Sequence, residues 1–208
     1  MSEPDIDDRL YYPATQRNRD PILKVLRETL PKSGQVLEIS SGSGEHGVYF
    51  ADALPEIQWI PSDPDPECLA SIESWRAAHK LPNLSAPLSL DVRDTPWPIK
   101  RVDAVVNINM IHIAPWTACL ALLRGCAALL DSGGVLYMYG PYRVGGTHTS
   151  ESNRQFDRGL RERDPSWGVR DLEDVIEQAH LAGFEHQETI PMPANNLSVI
   201  YRRTLSDH

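Results

Sequence analysis

Cysteine is scarce in this sequence: there are three, Cys68, Cys119 and Cys126, too scattered for a disulfide framework or a cysteine-based zinc site. Buried, reduced thiols are the expectation, and no metal site is expected. No run approaches the roughly 18 apolar residues that a membrane-spanning helix needs. The acidic start, Met1 to Asp8, lacks the apolar core of a secretory signal. A cytoplasmic protein without a membrane partner is therefore expected. Positive charge is also in short supply, with 20 basic against 29 acidic residues and a net charge of −9. That makes nucleic acid an improbable partner, although a local basic patch stays open. Repeats and low-complexity segments are absent. What remains is ordinary globular material, 41% hydrophobic and 24% charged over 208 residues, which suits one domain over 1–208.

One stretch organises that material. Val36–Ile39 is a short apolar run, Ser40-Ser41-Gly42-Ser43-Gly44 a turn, and Glu45 onward the start of a helix. A glycine-rich turn between strand and helix brings bare backbone N–H groups close to a ligand. Gly42, Gly44 and Gly47 satisfy G-x-G-x-x-G, the dinucleotide fingerprint. A plain strand-to-helix turn of small residues fits the same letters.

Residues 1–19 read as an arm lying over the domain, with Asp20-Pro21 opening a helix that carries an apolar stripe from Ile22 to Leu30. A second strand, Ile57–Ile60, runs into three closely spaced prolines that leave Asp63 exposed at its C-terminal edge. A helix over Cys68–His79 follows, then strands at Leu88–Leu90 with Asp91-Val92 after it, and at Val102–Ile108. Trp116–Leu130 is helical, Asp131–Gly134 turns, and Val135–Tyr139 is a fifth strand. The polar excursion over about 141–170 reads as a lid-like insertion, with a helix from Asn153 to Arg163 that turns Phe156 and Leu160 inward. After a helix over Asp171–Ala182, Phe184–Ile190 and Leu197–Arg203 form an antiparallel hairpin. Alternating strands and helices specify an α/β, Rossmann-like doubly wound fold with a mostly parallel, seven-stranded sheet. In such sheets ligands bind beyond the strand C-termini. The residues there are Ser40–Gly44, Asp63, Asp91-Val92, Asn107–His112 and Tyr139–Arg143.

The spelling Glu38-x-x-x-Gly42-x-Gly44, an acid after the second strand, Asp-Val after the third, His112 after the fourth and Leu-Leu-x-x-Gly-Gly before the fifth together resemble class I S-adenosylmethionine-dependent methyltransferases. More narrowly, almost the whole chain is similar to the methyltransferase-like protein 26 family. The stretches that carry this include Asn18–Leu23, Ser41–His46, Asn109–Ile113, Tyr139–Pro141, Arg163–Gly168 and Met192–Leu197. The resemblance implies a fold and S-adenosylmethionine as cofactor, but no acceptor.

For that cofactor, Gly42 and Gly44 let backbone approach the amino-acid and ribose portions, with Ser40, Ser41 and Pro64 beside them. Glu38 either favours the ammonium or accepts N–H bonds within the turn. Asp63, 19 residues beyond Gly44, suits the ribose diol, its other role being to cap the next helix. Asp91 takes the adenine amino group or serves as a plain turn residue, while Val92 packs on the ring. Asn107, Asn109 and Met110 complete the cofactor set, and His46 either touches cofactor or caps the helix start. Methyl transfer leaves a neutral thioether, so catalysis is mostly alignment and desolvation. His112 is the candidate general base, or else a packed residue. Tyr12, Tyr142, Arg143, Asn153, Asp157, Trp167, Arg170, Asn195 and Asn196 are left for the acceptor, or for knitting the lid to itself, Asp157 pairing Arg161 one turn on. Asn107-Ile108-Asn109-Met110 does not spell the Asp/Asn-Pro-Pro-aromatic motif of nucleic-acid amino-methylating enzymes. That favours a small-molecule or protein acceptor. The rivals are an NAD(P)-dependent oxidoreductase, which lacks an evident Tyr-Lys or His-Asp hydride-transfer set, and a non-catalytic S-adenosylmethionine-binding protein.

Overall fold

The computed structural model describes residues 8–204. In chain order the elements are α1 (Pro13–Thr29), β1 (Gly34–Ile39), α2 (Glu45–Ala53), β2 (Ile57–Asp63), α3 (Pro66–His79), β3 (Leu88–Ser89), β4 (Val102–Ile108), α4 (Trp116–Leu129), β5 (Leu130–Val144), β6 (Thr147–His148), α5 (Glu151–Arg163), β7 (Arg170–Asp171), α6 (Leu172–Leu181), β8 (Phe184–Met192) and β9 (Asn196–Arg203). Short 3-10 turns occupy Met110–His112 and Pro193–Asn195.

Seven strands lie side by side in the order β3-β2-β1-β4-β5-β9-β8. The first five are parallel, and β9 and β8 close the sheet as an antiparallel hairpin. The two short strands β6 and β7 pair with the far end of β5. The side-chain period of two sends alternate residues of each central strand to opposite faces. Val36, Ala104, Val106 and Tyr137 pack with α1 and α2. Leu37, Val105, Leu136 and Met138 pack with α4 and α6. Both faces being covered explains the nearly unbroken apolar runs of β1 and β4. Among the described residues, no helix is long and apolar enough to cross a membrane.

Helix α1 starts earlier than the Asp20-Pro21 signal places it, with Pro13 in its first turn and Pro21 inside it. An interior proline costs about 3 kcal/mol or more, and tertiary contacts of the first two turns offset it. Thr15 is buried, Asn18 Oδ1 meets His46 Nε2 at 2.8 Å, and Asp20 accepts the Tyr49 hydroxyl at 2.6 Å. The arm proper shrinks to the residues before Pro13, and Met1–Asp7 of it fall outside the described residues. Strand β5 is likewise longer than expected. The Asp131–Gly134 turn is a bulge within it, between the pairs Val102–Leu130 and Ala104–Val135, and Gly133 takes φ 81° there. The strand then continues through Pro141, because Gly140 and Pro141 still pair with Leu197 and Asn196. Beyond it, α5 turns Asn153, Asp157 and Leu160 inward. Phe156, expected inside, is 41% exposed; one turn before Leu160, it stands at the edge of that face rather than its centre.

The strand order reverses between β1 and β4, and in open α/β sheets a ligand crevice opens at such a point.

Candidate functional site

The turn after β1 holds three left-handed positions in five residues: Ser40 at φ 56°, Gly42 at 58° and Gly44 at 90°. Side chains rarely adopt such backbone, so two of the three are glycine. Gly44 has a second reason, because a Cβ there would lie 2.9 Å from the Ile72 Cα of α3. The Ser41 N–H donates to the Ser62 carbonyl at 2.8 Å, extending the β1–β2 ladder into the turn. Beneath it Glu38 is buried and accepts the Trp59 indole N–H at 2.9 Å. Burial pushes its carboxyl up to about 7. The N–H it accepts comes from β2 rather than from within the turn.

Asp63 is not exposed, contrary to the proline argument, because β2 runs straight through Pro61 to Asp63. It is 5% exposed. One carboxylate oxygen accepts the Gly42 N–H and the other the Asp65 N–H, each at 3.0 Å. Burial raises its pKa despite these bonds. It does not cap α3, since Asp65 does so by accepting the Glu67 N–H. The arm lies over this corner. Leu10 N–H donates to Ser71 Oγ at 2.8 Å and Tyr12 N–H to Glu45 Oε2 at 2.7 Å. A Cβ on Gly42 would sit 3.1 Å from the Tyr12 ring. The Tyr12 hydroxyl hydrogen-bonds the Cys68 thiol, and burial pushes the phenol up to about 12. Tyr12, expected at the acceptor, therefore sits on the glycine turn. His46 does not cap α2. Its Nε2 is taken by Asn18 and its ring stacks on Phe50, centroids 5.4 Å apart. Burial and the nearby Arg19 cation bring its imidazole down to about 4.

A cleft of about 360 Å³ opens beside this corner, within the range of about 300–1,000 Å³ usual for ligand sites. Ser40, Pro64, Asp91, Val92, Met110 and Trp167 are among its walls. Five of these six were expected at the cofactor, while Trp167 was expected at the acceptor. Asp91 is gripped by Arg93, whose Nη2 lies 2.6 Å from one carboxylate oxygen and whose own N–H reaches the other at 2.9 Å. The Arg93 side chain holds the Asp91 carboxyl below its usual range. Sequence reasoning missed Arg93, although the Asp-x-Arg spacing of a local turn carries the signal. It also missed Ile113, Pro115 and Ala118, apolar walls without any sequence motif.

Asn107 and Asn109 stand at the end of β4. Asn107 is buried and donates Nδ2 to the Ile39 carbonyl at 3.3 Å. Its Oδ1 has no hydrogen-bond partner among the described residues. Asn109 takes φ 67° and donates its N–H to the Tyr139 carbonyl at 2.8 Å. His112 is fully buried, edge-on to Tyr142 with centroids 5.0 Å apart. Its Nδ1 accepts the Arg170 N–H at 3.3 Å, so Nδ1 is the unprotonated nitrogen. A Cβ on Gly140 would lie 2.6 Å from Nε2, so only glycine leaves room for this ring. Burial, aided by the Arg170 cation, brings its imidazole down to about 3. A general base needs reach and a pKa near the working pH, and His112 has neither in this conformation.

Most of the residues left for the acceptor have partners within the chain. Tyr142 is fully buried in the core between sheet and helices. Arg143 pairs with Asp171. Asn153 Nδ2 donates to Thr149 Oγ1 and to the Asn195 carbonyl, both at 2.9 Å. Asp157 accepts the Val169 N–H at 2.7 Å and Arg161 Nε at 3.0 Å, with His148 at 3.6 Å. Burial opposes ionisation of Asp157, yet these partners outweigh it and leave the carboxyl below its usual range. The Arg170 guanidinium donates to the carbonyls of Ile111, Ala114 and Ser166. Asn196 Nδ2 donates to the Pro193 carbonyl of its own loop at 3.1 Å. Asp157 pairs Arg161 one turn on, as the alternative has it, whereas Arg170 ties the excursion to the segment after β4 and Asn153 ties it to the hairpin loop. The excursion does dock at the expected sheet edge, with the Gly168 N–H on the His112 carbonyl at 3.0 Å.

Among solved structures, the chain is similar to an O-methyltransferase family protein from Burkholderia thailandensis, with a TM-score of 0.79 at 15% identity over 93% of this chain and 58% of that one. It is also similar to the S-adenosylmethionine-dependent methyltransferase SibL (0.76, 18% identity, 92% and 56%). A third is CalO1, a methyltransferase in calicheamicin biosynthesis, in its S-adenosylhomocysteine-bound form (0.72, 14% identity, 89% and 54%). The chain thus spans little more than half the length of these relatives. At such identities the likeness establishes the fold alone, one that these proteins share. Across residues 9–203 the chain matches the family described as "Protein of unknown function (DUF938)", and it belongs to that family.

Proposed function

We propose that the protein binds S-adenosylmethionine in the cleft beside the glycine turn and transfers its methyl group to a small-molecule or protein acceptor. The carrying observation is the cleft itself. It lies at the C-terminal edge of the sheet and joins Ser40, Pro64, Asp91, Val92 and Met110, contributed by four successive strand ends. Its walls, with Asp63 and Asn107 buried at the same sheet edge, fit the group chemically. Asp63, buried beside the cleft, accepts two N–H groups and the Cys68 thiol and keeps a lone pair for a ribose hydroxyl. Val92 and Met110 offer apolar surface to an adenine ring, with Asp91 as acceptor for its amino group. The unmatched Oδ1 of buried Asn107 is an acceptor suited to the cofactor's ammonium. Bound there, the cofactor supplies an electrophilic methyl on a sulfonium.

With His112 buried, the chain's own contribution is orientation and exclusion of water rather than proton abstraction. That favours acceptors whose nucleophile is already unprotonated at neutral pH. The resemblance to the methyltransferase-like protein 26 family implies the same cofactor. Calorimetric titration with S-adenosylhomocysteine, S-adenosylmethionine and NADH tests it. S-adenosylhomocysteine should bind, and stabilisation at a hundredfold excess over Kd should reach about 2.7 kcal/mol. Binding of NADH alone would transfer the chain to the oxidoreductases.

A further inference from the structure

On the other side of the Val92–Arg93 turn lies a second cavity, of about 610 Å³, larger than the cofactor cleft. Its apolar walls come from the Thr95–Lys100 loop and from α4, chiefly Trp97, Ile99, Ala121 and Leu129. The Trp97 wall is fixed from two directions. Its indole N–H donates to the Val92 carbonyl at 3.3 Å. Its ring lies so close to α4 that a Cβ on Gly125 would fall 2.0 Å from it. A wall held in this way cannot easily fold inward to fill the space.

Two cations stand on the rim. Lys100 and Arg124 are exposed and line the cavity. Neither has an ion pair or a side-chain hydrogen bond among the described residues, in a chain whose net charge is −9. Arg93 also reaches the cavity but is held by Asp91. A hydrophobic recess with two uncommitted cations at its mouth complements an anion that carries an apolar body.

We propose that this cavity is a second small-molecule site, distinct from the cofactor cleft, for an organic carboxylate with an apolar body. The carboxylate sits between Lys100 and Arg124, and the body lies against Trp97 and Ile99.

The test uses the full chain and 2-naphthoate as probe, followed by titration calorimetry with and without saturating S-adenosylhomocysteine. One-site binding is expected, unchanged by S-adenosylhomocysteine and at least tenfold tighter than that of the neutral 2-naphthamide. Lys100→Gln combined with Arg124→Gln should weaken 2-naphthoate at least tenfold. Ala128→Trp, at an exposed lining position, should abolish binding while leaving the melting temperature near that of the parent. Absence of 2-naphthoate binding, equal affinity for the amide, or indifference to Ala128→Trp would each overturn the proposal. So would competition by S-adenosylhomocysteine, which would put the probe in the cofactor cleft. Each of these outcomes is independent of whether the chain transfers methyl groups.

Discussion

The Asp63 carboxylate holds the Gly42 N–H at 3.0 Å, tying the end of β2 to the left-handed turn after β1. The residue expected to hold the ribose is thus also a strut of the glycine turn. Asp63→Ala leaves the Gly42 and Asp65 N–H groups without their acceptor. Hydrogen bonds to a charged group contribute about 1.5–3 kcal/mol, and about 1 kcal/mol corresponds to about 2–4 °C in a chain of this size. The variant should lose both thermal stability and S-adenosylhomocysteine affinity. Differential scanning calorimetry beside titration calorimetry checks it, and a normal melting temperature with impaired binding would restrict Asp63 to ligand contact.

Glu38 makes stability depend on pH in an unusual direction. Its folded pKa, about 7, lies above the unfolded value of 4.5, so between those limits the native state binds more protons. Stability from this group is present below 4.5 and is lost as pH rises to 7, by a total on the order of 3 kcal/mol. His46 and His112 act oppositely. Their folded values, about 4 and about 3, lie below the unfolded 6.5, so their stability is present above 6.5 and lost as pH falls. The two trends offset one another in the parent. Glu38→Gln removes the first and keeps an acceptor for Trp59, so its urea-unfolding free energy should rise more steeply from pH 5 to 7 than the parent's. Parallel curves would mean that Glu38 is ionised throughout.

The layout of the sheet was readable in the residues, the chemistry of the lid was not. Apolar runs at Val36–Ile39 and Val102–Ile108 are buried on both faces, so hydrophobicity alone located β1 and β4. Pro21 misled because local propensity says nothing about Asn18–His46 and Asp20–Tyr49, contacts 28 and 29 residues apart in sequence. Asp63 misled for a related reason. Proline was read as ending the strand, whereas Pro61 continues it at the position paired with Glu38. In the excursion after β5, polar residues without an apolar pattern looked free. Their partners, Thr149 and Asn195 for Asn153 and Val169 for Asp157, are backbone or hydroxyl groups that leave no trace in composition.

The burial of His112 has a spectroscopic consequence. With its folded pKa brought down to about 3, the imidazole stays neutral across the range in which an ordinary histidine titrates. Nuclear magnetic resonance of the His112 ring carbon and proton should show no inflection between pH 5 and 8. An inflection between 6 and 7 would mean that the ring gains solvent contact and would restore it as a candidate base.

Asp157 offers the sharpest separation between a lid that holds itself together and a lid that holds an acceptor. One of its oxygens accepts the Val169 N–H, a buried donor that finds no substitute in Asp157→Ala. Leaving such a donor unmatched costs about 1–3 kcal/mol. The lost contact is two residues from Trp167, which lines the cleft at the sheet edge. Loosening this segment should therefore lower the melting temperature, speed hydrogen exchange over residues 164–171 and weaken S-adenosylhomocysteine. Asp157→Asn keeps an oxygen for Val169 and should recover most of the loss. Asn196→Ala breaks bonds within its own loop and one to the Tyr139 side chain, and should leave S-adenosylhomocysteine affinity unchanged. If Asp157 instead contacts the acceptor, Asp157→Ala would keep normal exchange protection and cofactor affinity while losing methyl transfer. Hydrogen-exchange mass spectrometry together with calorimetry distinguishes the two without knowledge of the acceptor.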